Sequence, residues 1–257
     1  MYLRLHSTQR FSDRVSNYIQ YRPTYPATLL DTLTTSCGLN PQSFIADIGS
    51  GTGKLTQLLL DRSYRVIGVE PNKEMREAAE AAFSQIDTFS SSSGQAEATG
   101  LAPASVDLIV AAQAFHWFDP AKTRQEFLRL LKPSGHLALL WNRRRLESPF
   151  HQAYDRLLRD YAPDYANVKQ RTDLTQAELA DFFAPGPVAT FEFENVQRFD
   201  LASFLGRMQS SSYTPKSGAP EHGALVAAVT ELFNQHQISG GLNFEYRTFL
   251  YLGQFLP

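Results

Sequence analysis

From Gln42 to Asn142, short apolar runs alternate with stretches of helical periodicity, the pattern of successive strand–helix units around a parallel sheet. Phe44–Ile48 is an apolar run ending at glycines, and Lys54–Arg62 follows with Leu55, Leu58 and Leu59 on one helical face. Arg65–Val69 predicts a second strand, after which Pro71 can open a helix whose alanine-rich body is Glu74–Phe83. The Ser-rich patch Ser90–Gly94 reads as a loop with a short strand beginning nearby. Val106–Ala112 predicts a fourth strand and Pro120–Leu131 a helix, while the turn Lys132–Gly135 leads into a fifth strand, His136–Trp141. Together these elements predict a doubly wound α/β sheet.

After Asn142 the texture changes to longer amphipathic helices with aromatics, near Phe150–Tyr161 and Thr175–Phe183, and then a strand over Val188–Phe199. A helix near Leu201–Met208, a loop rich in Ser, Pro and Gly from Ser210 to Gly218, a helix over Gly223–His236 and an aromatic strand over Asn243–Leu252 complete the chain. The length of 257 residues suits a single domain over 1–257. Its core is expected at about 28–142, 186–200 and 243–254, with a helical cap at about 143–185 and 201–236.

Charge narrows the partners. Lys plus Arg number 24 against 26 Asp plus Glu, so no net positive field draws in a phosphate backbone, which argues against nucleic acid. Cys37 is the only cysteine, which excludes an intrachain disulfide and a multi-cysteine metal site, and a reducing, cytoplasmic setting is expected. The first residues include Arg4, His6, Gln9 and Arg10 with no apolar segment behind them, against a signal peptide. No apolar run approaches the roughly 18 residues needed to span a bilayer.

Ile45-Ala46-Asp47-Ile48-Gly49-Ser50-Gly51-Thr52-Gly53-Lys54-Leu55 is the segment richest in chemistry: a strand running into three alternate glycines and then a helix. Such glycines let the backbone turn sharply and approach a ligand, with a helix start presenting unpaired N–H groups. A nucleotide-triphosphate loop is excluded, because Gly53-Lys54 would need Gly at 48, which is Ile, and Ser or Thr at 55, which is Leu. A dinucleotide site is disfavoured because the spacing is G-x-G-x-G and the sixth position holds Lys54. Asp47, two residues before the first glycine, would repel pyrophosphate but attract the cationic amino acid end of S-adenosylmethionine. Glu70, ending the second strand, can then accept both ribose hydroxyls.

Asp47–Thr56, Val69-Glu70-Pro71, Ser105–Asp119 and Leu131-Lys132-Pro133-Ser134-Gly135 together resemble class I S-adenosylmethionine-dependent methyltransferases. The nearest likeness is to the broad type 11 group that includes trans-aconitate methyltransferase-like proteins, over most of residues 10–142. The resemblance implies a Rossmann-like, doubly wound seven-stranded sheet, mostly parallel, with an antiparallel C-terminal hairpin. It also implies that S-adenosylmethionine is the cofactor and S-adenosylhomocysteine the product. Asp47, Gly49, Ser50, Gly51 and Gly53 would surround the methionine portion, Glu70 the ribose, and Pro71 and Met75 the adenine. Ala96 and Glu97 match a loop at the adenine edge, and Gln113, Ala114 and His116 would line the methyl-bearing end. Tyr18 and Arg22 match an N-terminal segment that closes over the cofactor, with Tyr21, Trp117 and Arg143 as candidate substrate contacts.

Other readings stay open beside this one. His116 is either a general base or an imidazole packed among Phe115, Trp117 and Phe118. Of Arg143, Arg144 and Arg145, a solvated loop explains at least two, and one remains to meet a substrate carboxylate. Phe182, Phe183, Phe191 and Phe193 read as core and Cys37 as a bystander. Methyl transfer from a sulfonium needs alignment above all, so a dedicated base is optional. The acceptor is then a small molecule methylated at a carboxylate or hydroxyl, with no metal required and the oligomeric state open. A nicotinamide-dependent oxidoreductase and a noncatalytic cofactor-binding protein are the alternatives.

Overall fold

The computed structural model describes residues 15–172 and 174–255, so the N-terminal residues weighed against a signal peptide lie outside the described residues. Among the described residues seven strands form one sheet: β1 (Phe44–Ile48), β2 (Arg65–Val69), β3 (Phe89–Ser92), β4 (Val106–Ala112), β5 (Leu131–Arg144), β6 (Val188–Phe199) and β7 (Leu242–Gly253). Their spatial order is β3-β2-β1-β4-β5-β7-β6. β1 to β5 pair in parallel, and β7 runs antiparallel between β5 and β6. The winding therefore reverses between β1 and β4, and in open α/β sheets the crevice outside the carboxyl ends at that point is where ligands bind.

Along the chain the helices are α1 (Val15–Tyr21), α2 (Ala27–Cys37), α3 (Lys54–Leu60), α4 (Lys73–Ala82), α5 (Pro120–Leu130), α6 (Pro149–Tyr161), α7 (Tyr165–Thr172), α8 (Gln176–Phe183), α9 (Leu201–Gln209) and α10 (Pro220–His236). Neighbouring residues on a strand face opposite sides, and both sides here are covered. Ile45, Leu108, Leu140 and Leu250 meet Leu29 and Leu33 of α2 and Leu55 and Leu59 of α3. Ala46, Ile109, Leu139 and Tyr251 meet Phe127 of α5 and Phe182 of α8. A third cluster joins α6, α9 and α10 to the start of β7 through Phe150, Tyr154, Phe204, Leu225 and Phe244.

Three elements depart from the sequence pattern. β3 is a strand over Phe89–Ser92 where a loop was expected from Ser90: as a partly exposed sheet edge it needs no alternation of apolar residues. β5 begins at Leu131 and runs to Arg144, absorbing the turn Lys132–Gly135 as a register shift opposite β4. That shift is clamped by Asp107, which accepts from Lys132 Nζ at 2.8 Å and from the Phe44 N–H at 2.8 Å. α7, with few apolar positions, has no counterpart in the sequence reading.

α8 starts at a capping box, with Thr175 Oγ1 accepting from the Glu178 N–H and the Glu178 carboxylate accepting from the Thr175 N–H. Thr175→Ala is expected to lower stability by about 1 kcal/mol, measured by chemical denaturation with an unchanged m-value.

Candidate functional site

Asp47 lies one residue from the end of β1, and the glycines that follow all sit at left-handed φ: Gly49 at 70°, Gly51 at 57° and Gly53 at 85°. A side chain is strained in that region, and at two of the three positions space forbids one as well. A Cβ on Gly49 would come within 2.5 Å of the Ala114 Cβ, and one on Gly53 within 2.4 Å of the Phe83 ring. Gly51 differs, since its nearest neighbour would be the Met75 sulfur at 3.8 Å. β2 holds the loop: the Val69 carbonyl accepts from the Gly49 N–H at 2.8 Å, and Glu70 Oε2 accepts from the Gly51 N–H at 2.9 Å. Glu70 Oε1 accepts from the Asn72 N–H at 2.8 Å, so this carboxylate shapes the loop while keeping lone pairs for a ligand.

Asp47 is 1% exposed, with Oδ2 accepting from the Thr56 hydroxyl at 2.7 Å. Its other oxygen, Oδ1, is buried without a partner. Burial pushes the Asp47 carboxyl up to about 7, helped by the nearby Glu70 charge and opposed by the Thr56 hydroxyl. Burial raises Glu70 as well, against the two backbone N–H groups it accepts from.

A two-lobed cleft opens over this loop at the carboxyl ends of β1 and β4. The larger lobe, about 220 Å³, is lined by Asp47, Gly49, Ser50, Arg22, His116 and Arg143 among others. The smaller, about 110 Å³, is lined by Gly51, Glu70, Pro71, Met75 and Ala114 among others. Tyr18, Gln113 and Trp117 border both. Most of the residues singled out from sequence therefore meet around one crevice. Gln113 follows β4 at a φ of 56°, uncommon for a side-chain-bearing residue, and its amide donates to the Asn142 carbonyl at 3.3 Å. His116 lies on a short 3₁₀ turn, Phe115–Trp117, with its ring 4.8 Å from that of Trp117.

Four sequence-derived candidates fall outside the lining of both lobes. Ala96 is buried in the sheet-face cluster, and Glu97 accepts from the Asp119 N–H at 2.6 Å just before α5. Gly53 packs on Phe83, and the Tyr21 ring lies against Gly206 of α9, where a Cβ would meet it at 2.1 Å. The three consecutive arginines separate as the strand ends. Arg145 points to Glu147 and Glu194, Arg143 stacks on Phe249 beside the cleft, and Arg144 is half-buried between the Tyr154 and Tyr165 rings.

Several lining residues gave no signal in sequence. Lys54 Nζ donates to the Ile19 carbonyl at 2.8 Å, tying α1 to the start of α3. Asn142 and Asn195 both donate to the Thr24 carbonyl, at 3.2 and 2.8 Å, and so fix the segment that bears Arg22. Arg207 and Tyr246 complete the larger lobe. Arg207 sits inside the apolar pattern of α9, and only the antiparallel pairing of β5 with β7 brings Tyr246 opposite Arg144.

Residues 46–139 match the sequence model of a family described as a methyltransferase domain. An uncharacterized methyltransferase of Mycobacterium bovis is 39% identical over 134 residues, which is 52% of this chain and 52% of that protein. This chain thus spans about half the length of the first curated relatives it matches. An uncharacterized methyltransferase of Schizosaccharomyces pombe is 26% identical over 251 residues, 96% of this chain and 97% of the relative. Among solved structures, a candidate type II methyltransferase from Anaeromyxobacter dehalogenans aligns with a TM-score of 0.67 at 25% identity, covering 92% of this chain and 99% of that one. No helix among the described residues is long and apolar enough to cross a membrane. Residues 46–139 thus resemble a methyltransferase domain, and the chain has the Rossmann-like fold of its solved neighbour.

Proposed function

We propose that the protein transfers a methyl group from S-adenosylmethionine to a carboxylate or hydroxyl of a small molecule. The unpartnered, buried Oδ1 of Asp47 at the cleft floor is the observation on which this reading rests. A buried carboxylate oxygen without a donor is costly unless a ligand supplies one, and a cationic amino group does so with opposite charge. The open face of Gly51 and the half-used carboxylate of Glu70 fit the rest of such a cofactor: Glu70 for the ribose, Pro71 and Met75 for the adenine. Ser50 and Gly49 lie along the methionine portion, with Arg22 and Tyr18 closing over it.

The bound cofactor supplies a methyl group already activated on a sulfonium. The chain's own residues then orient and exclude water: Gln113, Ala114 and Trp117 wall the junction of the lobes, and the acceptor lies in the larger one. Effective molarity from such alignment can reach about 10⁵ M, so no triad is required. His116 is the group that takes a proton when the acceptor is a hydroxyl, and a carboxylate acceptor needs none. On this reading the sheet with its flanking helices, about 28–142, 186–200 and 243–254, holds the cofactor, and a cap at about 143–185 and 201–236 covers the acceptor. The type 11 group with its trans-aconitate methyltransferase-like members is the nearest functional setting. A reducing, cytoplasmic setting suits the half-buried single thiol of Cys37.

Calorimetric titration with S-adenosylmethionine tests the reading, and absence of saturable heat at millimolar cofactor overturns it. The titration has a predicted pH slope. Asp47 binds the cationic ligand as a carboxylate, and that form grows as pH rises through about 7. Affinity is therefore expected to rise about eightfold between pH 6 and 7.5, and Asp47→Asn should flatten the slope.

A further inference from the structure

The larger lobe has a strongly cationic wall where β5, α7 and α9 meet. Arg144, Arg159 and Lys169 share one carboxylate, Asp155, at 3.8, 2.8 and 3.3 Å. Arg207, only 5% exposed, has none among the described residues. It donates from Nε to the Tyr246 hydroxyl at 2.9 Å and from a terminal nitrogen to the Ser211 hydroxyl at 3.0 Å, both neutral. One terminal nitrogen of Arg144 is likewise buried without an acceptor. Arg144 and Arg207 both line the lobe, as does Lys169.

Aromatic faces lie near these cations, with Tyr154 and Tyr165 about the Arg144 guanidinium at 5.2 and 5.3 Å and Tyr246 at 5.9 Å from Arg207. Ring quadrupoles soften the desolvation of a guanidinium but supply no net negative charge. A buried cation without a carboxylate is unfavourable, and Arg207 is one that faces a cavity. The cleft is bipolar, with a carboxylate floor at the glycine loop and a guanidinium wall at α9.

We infer that the molecule taking the methyl group is acidic, and that an oxyanion it bears seats between Arg144 and Arg207. Fixed guanidinium forks match both the planar oxygens of a carboxylate and those of a phosphate or sulfate group. The acceptor role rests on the methyl-transfer reading; the anion seat itself does not.

Calorimetry separates the two. Malonate and inorganic sulfate are titrated into the wild-type protein, with and without saturating S-adenosylhomocysteine, and acetamide serves as the uncharged control. Saturable binding of at least one anion with the product present is expected, weakened about tenfold in Arg207→Gln and partly restored in Arg207→Lys. S-adenosylmethionine affinity should stay within twofold in both variants. Preference for malonate assigns a carboxylate, and preference for sulfate a phosphate or sulfate ester. No saturable anion binding by the wild-type protein, or binding unchanged in both Arg207→Gln and Arg144→Gln, overturns the inference whatever the cofactor does. Anion binding without cofactor binding would leave the seat standing and remove the methyl-transfer reading.

Discussion

Asp47→Asn is expected to weaken S-adenosylmethionine binding about 100-fold, close to 2.7 kcal/mol, because it removes one charge from a buried ion pair while keeping the side chain's shape. The Thr56 hydroxyl can still donate to the retained oxygen, so the loop should keep its course. Stability should move the other way. The native carboxyl of Asp47 sits at about 7 against an ordinary value of 3.8, so its contribution to stability is complete below about pH 4 and lost as pH climbs through 7. Above pH 7 the ligand-free variant is therefore expected to unfold no earlier than wild type, and earlier once cofactor is added to both. Thermal melts at pH 8 with and without S-adenosylmethionine show the crossover; equal cofactor-induced shifts in the two proteins would remove Asp47 from the binding role.

Gly53→Ala is expected to be the most destabilising change in the loop. Leaving the right-handed region costs roughly 1–2 kcal/mol, and overpacking against the Phe83 ring adds about 1–3 kcal/mol. A loss of about 3 kcal/mol would lower the melting temperature by about 6–12 °C in a chain of this size. Gly51→Ala is the contrasting case, since its Cβ would point past Met75 into the smaller lobe. It should cost about 1 kcal/mol of stability and chiefly cofactor affinity. A Gly51→Ala protein less stable than Gly53→Ala would reverse this division between packing and binding.

The glycine loop was legible because alternate glycines between an apolar strand and a helix admit few backbone courses, and Asp47 and Glu70 sit at the strand ends that frame it. β1, β2 and β4 were legible for a similar reason: each is largely buried on both faces and reads as a continuous apolar run. β3 was obscure because an edge strand of serines lacks that constraint. The cationic wall was the least legible part. Arg207 looks like one polar residue on an amphipathic helix, and its importance arises only when β7 inserts beside β5 and carries Tyr246 to it. Tyr21 shows the converse: its motif pointed to a ligand, but its ring lies against a helix backbone.

Gly206 sits in the middle of a helix, where glycine is weaker than alanine by roughly 0.5–1 kcal/mol. In return, the Tyr21 ring packs against the helix at Gly206, one position before Arg207, and Tyr21 itself stands one position before Arg22. A side chain at 206 would push that ring away, so the hold of the N-terminal helix on α9 depends on the absence of one methyl group.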